Sequence, residues 1–329
     1  MTHFRTPHDD ARPIVVTGVA GFIGHHTARL LLDWGFTVVG LDAFTPYYDR
    51  RTKECNLRTL DHDNFRFVET YVDSAAARAE LKGAQAIIHL AAQPGVRDSW
   101  SEFDNYTELN VLATKRLLDH ALEANVHRFV CASSSSVYGD APAYPTSEDA
   151  PTVPRSPYGI TKLAAERLAV AYALERGLHT VSLRFFTVFG PGQRPDMAID
   201  RLIRAAHLGD SFPMFGDGSQ IRDFTYVGDV ARANALCALA DLAPGSVFNV
   251  CSEAPTTLNQ AIEIVETVTG AKVHRNQGAA SIGDVKRTGG TADSIRAAIG
   301  WTTRTSIDEG IRAQERAVRE RLAMLGAVA

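Results

Sequence analysis

From residue 13 onward the chain alternates short apolar runs with longer stretches in which apolar residues recur every three or four positions. PIVVT (13–17), TVVGLD (37–42), FRFVE (65–69), AIIHLA (86–91), HRFVCA (127–132) and HTVSLRF (179–185) read as strands. Helical spacing lies between them near 22–34, 74–81, 101–124 and 156–176. Strands so continuously apolar are buried on both faces. Alternation at this spacing predicts βαβ units with right-handed crossovers, hence an α/β, doubly wound parallel sheet.

After residue 186 the rhythm breaks. Pro and Gly accumulate in FGPGQRP and FPMFGDGSQ. A further strand, SVFNVC (246–251), precedes helices near 257–269, 292–299 and 306–323. The expected organisation is a dinucleotide-type sheet domain over 1–186, with 1–12 disordered, then a smaller C-terminal α/β substrate domain over 187–329. Residues 230–255 are expected to return to the first domain's sheet.

Composition narrows the function. The 329 residues are 45% hydrophobic, enough for a sizeable core, and the net charge is −4 without a long basic block. This argues against a nucleic-acid or anionic-membrane surface. No stretch reaches transmembrane length, and the polar N-terminus lacks a signal-type apolar run. Cys55, Cys131, Cys237 and Cys251 are scattered, as reduced thiols of a cytoplasmic protein would be. The eleven histidines show no metal spacing, so no metal is expected, and His25-His26 are expected to face solvent.

TGVAGFIG (17–24) places Gly18, Gly21 and Gly24 between the first strand and the first helix, which Phe22 and Ile23 open. A tight turn and close backbone approach there let a helix N-terminus receive a pyrophosphate, as in the Rossmann-type sheet. Asp42 ends the second strand, where a carboxylate accepts hydrogen bonds from an adenosine ribose and repels a 2′-phosphate. This favours NAD. SPYGITK (156–162) opens a helix that carries Tyr158 and Lys162 four residues apart, on one face. A free phenol titrates near pH 10, so a tyrosinate at neutral pH needs about 4 kcal/mol from nearby positive charge. A lysine ammonium and an oxidised nicotinamide ring are two such charges. Four serines, Ser133–Ser136, sit where HRFVCA runs out.

Taken together, TGVAGFIG, HLAAQPGVR, SSSSVYG, SPYGITK, RFFTVFGPGQRPDM and RDFTYVGD resemble the extended short-chain dehydrogenase/reductase superfamily, in its nucleotide-sugar epimerase/dehydratase branch. LDAFTPYYDRR and AAQPGVRDSW bring the resemblance nearest to the UDP-glucuronate 4-epimerases. The resemblance implies NAD as cofactor, a UDP-sugar as substrate and a homodimer paired through the helices at 101–124 and 156–176. It makes Tyr158 the base at the sugar 4-hydroxyl and Lys162 the residue that holds the nicotinamide ribose. Ser134 matches the hydrogen-bonding partner of the 4-oxygen. The HLAA stretch at 89–92, with Leu90, Ala91 and Ala92, and Asn110 match cofactor-lining positions. Thr187 and Arg194 match positions used toward a uronate carboxylate, Arg222 the UDP diphosphate and Asp284 the uridine ribose. One departure stands out: Thr70-Tyr71 replaces the Gly-Asp pair usual near the adenine, leaving that contact to Asp73 or a backbone amide.

The branches diverge at the serines. Dehydratases carry Asp-Glu where this chain has Ser135 and Ser136, because removing a carbon-5 proton and shedding water needs a carboxyl group. Neutral hydroxyl donors suit a guest that brings its own carboxylate. The expectation is epimerisation of UDP-glucuronate at carbon 4 through a transient 4-keto sugar. A 4-epimerase of UDP-glucose or a UDP-N-acetylhexosamine, a UDP-sugar dehydratase or decarboxylase, and a non-catalytic nucleotide-sugar-binding protein stand as alternatives. The bland reading of the serines is a strand end with hydroxyls bonded to backbone.

Overall fold

The structure is a computed structural model that describes residues 4–6, 11–278 and 285–324. β1 (Ile14–Thr17), α1 (Phe22–Asp33), β2 (Val38–Asp42), α2 (Arg50–Arg58), β3 (Phe65–Glu69) and α3 (Ala75–Glu80) lead to β4 (Ala86–His89). One helical run follows, made of α4 (Phe103–Thr107), a π turn (Glu108–Leu112) and α5 (Ala113–Glu123). Next come β5 (Arg128–Ser134), α6 (Pro157–Arg176) and β6 (Thr180–Phe185). β7 (Thr187–Phe189), α7 (Ala198–Leu208), β8 (Ser211–Phe215), β9 (Ile221–Tyr226), α8 (Val227–Leu239) and β10 (Ser246–Val250) continue the chain. β11 (Pro255–Thr257), α9 (Leu258–Thr269), β12 (His274–Gly278), α10 (Asp293–Ile299) and α11 (Ile307–Met324) complete it.

Seven strands form the central parallel sheet in the order β10-β6-β5-β4-β1-β2-β3. The order reverses beside β1, which pairs with both β2 and β4 and so creates the crevice in which such sheets bind ligands. β10 pairs in parallel with β6, so residues far beyond 186 belong to this sheet. One face is covered by α1 and α8, and the other by α3, α5 and α6, each with its own apolar cluster. A third cluster, built from α7, α9, α11, β8 and β9, forms the smaller lobe.

Several elements are absent from the apolar pattern. α2, RRTKECNLR, is almost wholly polar and buries only Lys53 and Asn56. α8 is built of small residues that let it lie close against α1, and it has no clear apolar stripe. Two expectations are corrected. Within 1–12, Phe4 bridges to Ala240 and the Arg5 N–H donates to the Leu239 carbonyl, so residues 4–6 are tied to α8; residues 1–3 and 7–10 lie outside the described residues. His25 and His26 turn inward, because the α1 face that carries them packs on the loop at Pro191. The His25 Nδ1–H donates to the Gly21 carbonyl at 2.9 Å, and the His26 Nε2–H to the Pro191 carbonyl at 2.8 Å.

Candidate active site

Gly18, Gly21, Phe22, Ile23, Gly24, Asp42, Leu90, Ala91, Ala92, Tyr158 and Lys162 line one cleft above the C-terminal ends of the central strands. Gly18 has φ +68°, and a Cβ on it would stand 2.7 Å from the Ala91 nitrogen. At Gly24 a Cβ would lie 2.0 Å from the Gly18 carbonyl oxygen. Both glycines are therefore set by backbone packing of the turn. Gly21 caps α1 without a side-chain hydrogen bond, which leaves the first-turn amides to a ligand or water.

Asp42 reaches the cleft, but its carboxylate is already engaged. The Ala20 N–H donates to Oδ2 at 3.1 Å and the Phe44 N–H to Oδ1 at 2.8 Å. Lys53 Nζ stands 3.8 Å from Oδ1, and both side chains are less than a tenth exposed. Burial lowers the Lys53 pKa against the pull of Asp42. Thr70, Tyr71 and Val72 line the same cleft, whereas the Asp73 carboxylate is committed to Arg116 at 2.8 Å.

α6 presents Tyr158 and Lys162 to the cleft. Ser156 starts this helix, its hydroxyl accepting from the Gly159 N–H at 3.1 Å, with Pro157 in the first turn. The Tyr106 ring meets the Tyr158 ring edge-on at 6.3 Å, and its hydroxyl is anchored on the Pro94 carbonyl at 2.6 Å. Lys162 is 6% exposed and raises the local potential at two buried neighbours. His89 is pushed down to about 3, by burial and then by Lys162. Its tautomer follows from its partners. The Leu90 and Ala91 amides donate to Thr17 Oγ1, so the Thr17 proton goes to His89 Nδ1 at 2.8 Å. The His89 Nε2–H then donates to Thr114 Oγ1 at 2.9 Å, and Thr114 donates to the Asn110 carbonyl at 2.7 Å. Asn110 itself does not line the cleft. Its side chain accepts from the Gln93 N–H at 2.6 Å and donates to the Gln93 carbonyl and to Thr161 Oγ1.

A second recess opens beside Tyr158, lined by Ser133–Ser136, Thr187, Arg194, Asp98 and Asp196. The serines divide by role. Ser133 Oγ donates to the Glu166 carboxylate at 2.7 Å. Ser134 Oγ accepts from the Ser136 N–H at 3.1 Å, which caps the short turn Ser135–Val137 and leaves the hydroxyl proton available. The half-buried Ser135 and Ser136 hydroxyls bond to none of the described residues. Arg194 faces Asp196, with Nε–Oδ1 3.0 Å and Nη2–Oδ2 2.9 Å, and lies 5.6 Å from the Tyr47 ring centre. The Tyr47 hydroxyl in turn donates to Asp98 at 3.2 Å.

A third recess continues from Thr187 and Asp196 to Arg97, Arg201 and Arg222. Arg97 stacks 4.0 Å from the Phe215 ring centre, and Arg222 Nη1 donates to the Ile221 carbonyl at 2.8 Å. Asp284 lies outside the described residues. No group of three potential ligands stands ready for a metal among the described residues, and none of their helices is long and apolar enough to cross a membrane.

The family model described as "NAD dependent epimerase/dehydratase family" matches residues 14–251. The chain belongs to this family. The UDP-glucuronate 4-epimerase of Thermodesulfobacterium geofontis (strain OPF15) is 37% identical over 307 residues, 91% of this chain and 93% of that one. The UDP-glucuronic acid 4-epimerase of Bacillus cereus, solved with UDP-glucuronic acid and NAD, superposes with a TM-score of 0.91 at 32% identity, over 94% of this chain and 99% of that one. MoeE5, also solved with UDP-glucuronic acid and NAD, is 41% identical with a TM-score of 0.86, over 94% of this chain and 100% of that one. It has been solved with UDP-glucose as well, at 42% identity and a TM-score of 0.85, over 94% of this chain and 99% of that one.

The cleft of this epimerase/dehydratase-family protein fits the NAD on which the family depends. It offers an uncapped helix N-terminus, a carboxylate at the end of β2 and a lysine beside Tyr158. Sequence reasoning missed Lys53, Tyr47, Tyr106 and Asp196. The paired Tyr47-Tyr48 and the Asp two residues after Arg194 were visible, but nothing in the spacing ties them to the cleft.

Proposed function

We propose that the protein interconverts UDP-glucuronate and UDP-galacturonate by inverting carbon 4. The observation that carries the substrate choice is the second recess. It sets the unpartnered hydroxyls of Ser135 and Ser136, Thr187 and the Arg194 guanidinium beside Tyr158. Its two carboxylates are engaged, Asp98 with Tyr47 and Asp196 with Arg194, so neither stands free to act as a dehydratase acid. The similarity to proteins named UDP-glucuronate 4-epimerases supports the same reading.

When bound, NAD supplies the hydride acceptor, and afterwards the donor, at carbon 4. Tyr158 takes the 4-hydroxyl proton and returns it, with Lys162 on the same helix face beside it. Ser134, its proton available, donates to the 4-oxygen. A uronate with a ketone at carbon 4 is a β-keto acid, which loses carbon dioxide when its carboxylate–carbon bond stands perpendicular to the ketone plane. The hydroxyls and Arg194 hold the carboxylate out of that alignment and keep its charge solvated. Arg97, Arg201 and Arg222 suit the diphosphate.

Incubation with UDP-glucuronate, UDP-glucose and UDP-N-acetylglucosamine, with anomeric-proton NMR of the products, tests the proposal. UDP-galacturonate is the expected product, with little pentose. Turnover of UDP-glucose alone would overturn the carboxylate assignment. Exposed Phe103, Ile160 and Leu174 on the helical run and α6 support a homodimer, which light scattering can measure. The absence of paired cysteines among Cys55, Cys131, Cys237 and Cys251 fits the cytoplasm.

A further inference from the structure

Asp196 belongs to a motif whose arginine alone has a role so far, and its position gives it a role of its own. It borders both the second and third recesses. Its two oxygens face Arg194 Nε and Nη2 at 3.0 and 2.9 Å, the fork-to-fork arrangement that an incoming carboxylate would itself use. The Arg194 side chain is 19% exposed and that of Asp196 43%, so the acid stands on the open side of the pair.

We propose that Asp196 sets the preference of the carbon-6 recess between an acid and a neutral group, by acting as the internal carboxylate that Arg194 holds until a substrate carboxylate arrives. The inference rests on the uronate reading above. A substrate carboxylate has two routes to Arg194. It displaces Asp196 and breaks an existing ion pair, or it takes the remaining edge of the guanidinium with a second negative charge beside it. Both routes disfavour the acid relative to a hydroxymethyl group, which needs neither. Without Asp196 the recess would offer an unopposed cation. The other charged groups facing it are Arg97 and Arg201 on the diphosphate side, and Asp98, which Tyr47 engages. The exchange also gives Arg194 a partner each time the carboxylate lets go, as it must when the 4-keto sugar turns over.

The test compares wild type, Asp196→Asn and Asp196→Glu in steady-state kinetics with UDP-glucuronate and UDP-glucose. Both substrates carry the diphosphate, so the ratio of their KM values cancels any change at Arg97 and Arg201. Asp196→Asn should shift the ratio about twofold to fivefold toward UDP-glucuronate, the span expected of a partly exposed ion pair. Its KM for UDP-glucuronate should fall without a rise in kcat, while Asp196→Glu stays near wild type. Wild-type turnover of UDP-glucuronate with a ratio unchanged in Asp196→Asn, or shifted toward UDP-glucose, would overturn the Asp196 inference alone. A wild type that epimerises only UDP-glucose would overturn the substrate reading and this inference with it.

Discussion

Breaking the buried Glu166–Arg184 pair should cost more stability than replacing the whole pair with apolar side chains. The two side chains are 0% and 3% exposed. Arg184 Nη2 and Nε donate to the two Glu166 oxygens at 2.7 and 2.9 Å, and Ser133 adds a third bond at 2.7 Å. Arg184 Nη1 completes its set on the Tyr138 hydroxyl at 2.7 Å and the Glu148 carbonyl at 3.1 Å. Burial works to lower the Arg184 pKa, but the bonds to Glu166 more than reverse it and leave it above its ordinary value. Removing one partner from such a pair typically costs about 3–5 kcal/mol. Glu166→Gln should fall near 3 kcal/mol, about the low end of that range, because Tyr138 and Glu148 still accept from Arg184. Arg184→Met leaves the carboxylate with Ser133 alone and should fall at the high end. The double variant Glu166→Leu/Arg184→Met removes both charges from a dry site, so it should cost clearly less than the sum of the two singles. Urea unfolding at pH 7 measures all of these. Singles within about 1 kcal/mol of wild type, the range of a surface pair, would refute the reasoning, and so would a double variant that costs the full sum. The pair also joins β5, α6 and β6 one turn beyond Lys162, so kcat should fall with stability in Glu166→Gln.

Tyr158→Phe should keep NAD and UDP-sugar binding while turnover falls about 10²–10⁴-fold, read by single-turnover kinetics; a near-normal rate would remove Tyr158 from the proton transfer. Asp42→Ser should raise NADP binding to cofactor-stripped protein, because it leaves the Lys53 ammonium near the end of β2 with the Thr45 carbonyl but no carboxylate, and adding Lys53→Met should abolish the gain in fluorescence titrations. Acid should destabilise the fold from about pH 6.5 downward, since His25 and His89 stay neutral in the native state to about 3 while unfolded imidazoles charge. The slope should reach about 1.4 kcal/mol per pH unit for each histidine, and equal unfolding midpoints at pH 7 and pH 5.5 would contradict it.

What could be read in the chain followed from periodicity and from chemistry on a single element. The inner strands β1, β2, β4, β5 and β6 announce themselves because burial on both faces makes them near-continuously apolar, whereas β3, at the sheet edge, stays partly exposed and carries Arg66 and Glu69. Gly18, Gly21 and Gly24 sit in one turn, and Tyr158 and Lys162 on one helix, so local spacing places them. Where the expectations failed, the structure depends on contacts between distant residues. His25 and His26 look like any polar pair opening a helix until Pro191 packs against them. Asn110 turns toward Gln93 and Thr161 because the π turn and α6 meet there, which no window around residue 110 contains. Asp42 does end β2 and reach the cleft, and what no local window shows is that Lys53 approaches it from the polar helix α2.

On the proposed function, the same division lets the site keep one chemistry while leaving substrate choice open. Tyr158, Lys162, Ser133 and Ser134 stand on strand ends and a helix that the Glu166–Arg184 pair locks together, and a hydride or proton transfer tolerates little positional error. Thr187, Arg194 and Asp196 come instead from the segment between β6 and α7, which touches the cofactor helix through His26 and Pro191. On the proposed reading, a substitution there should alter which carbon-6 group is welcome without moving Tyr158. The serines bridge the two regimes. The Ser133 hydroxyl donates to Glu166 and the Ser134 hydroxyl accepts from the Ser136 N–H, whereas the hydroxyls of the next two residues, Ser135 and Ser136, bond to none of the described residues. A single strand end therefore contributes both to the fixed frame and to the open recess beside Tyr158.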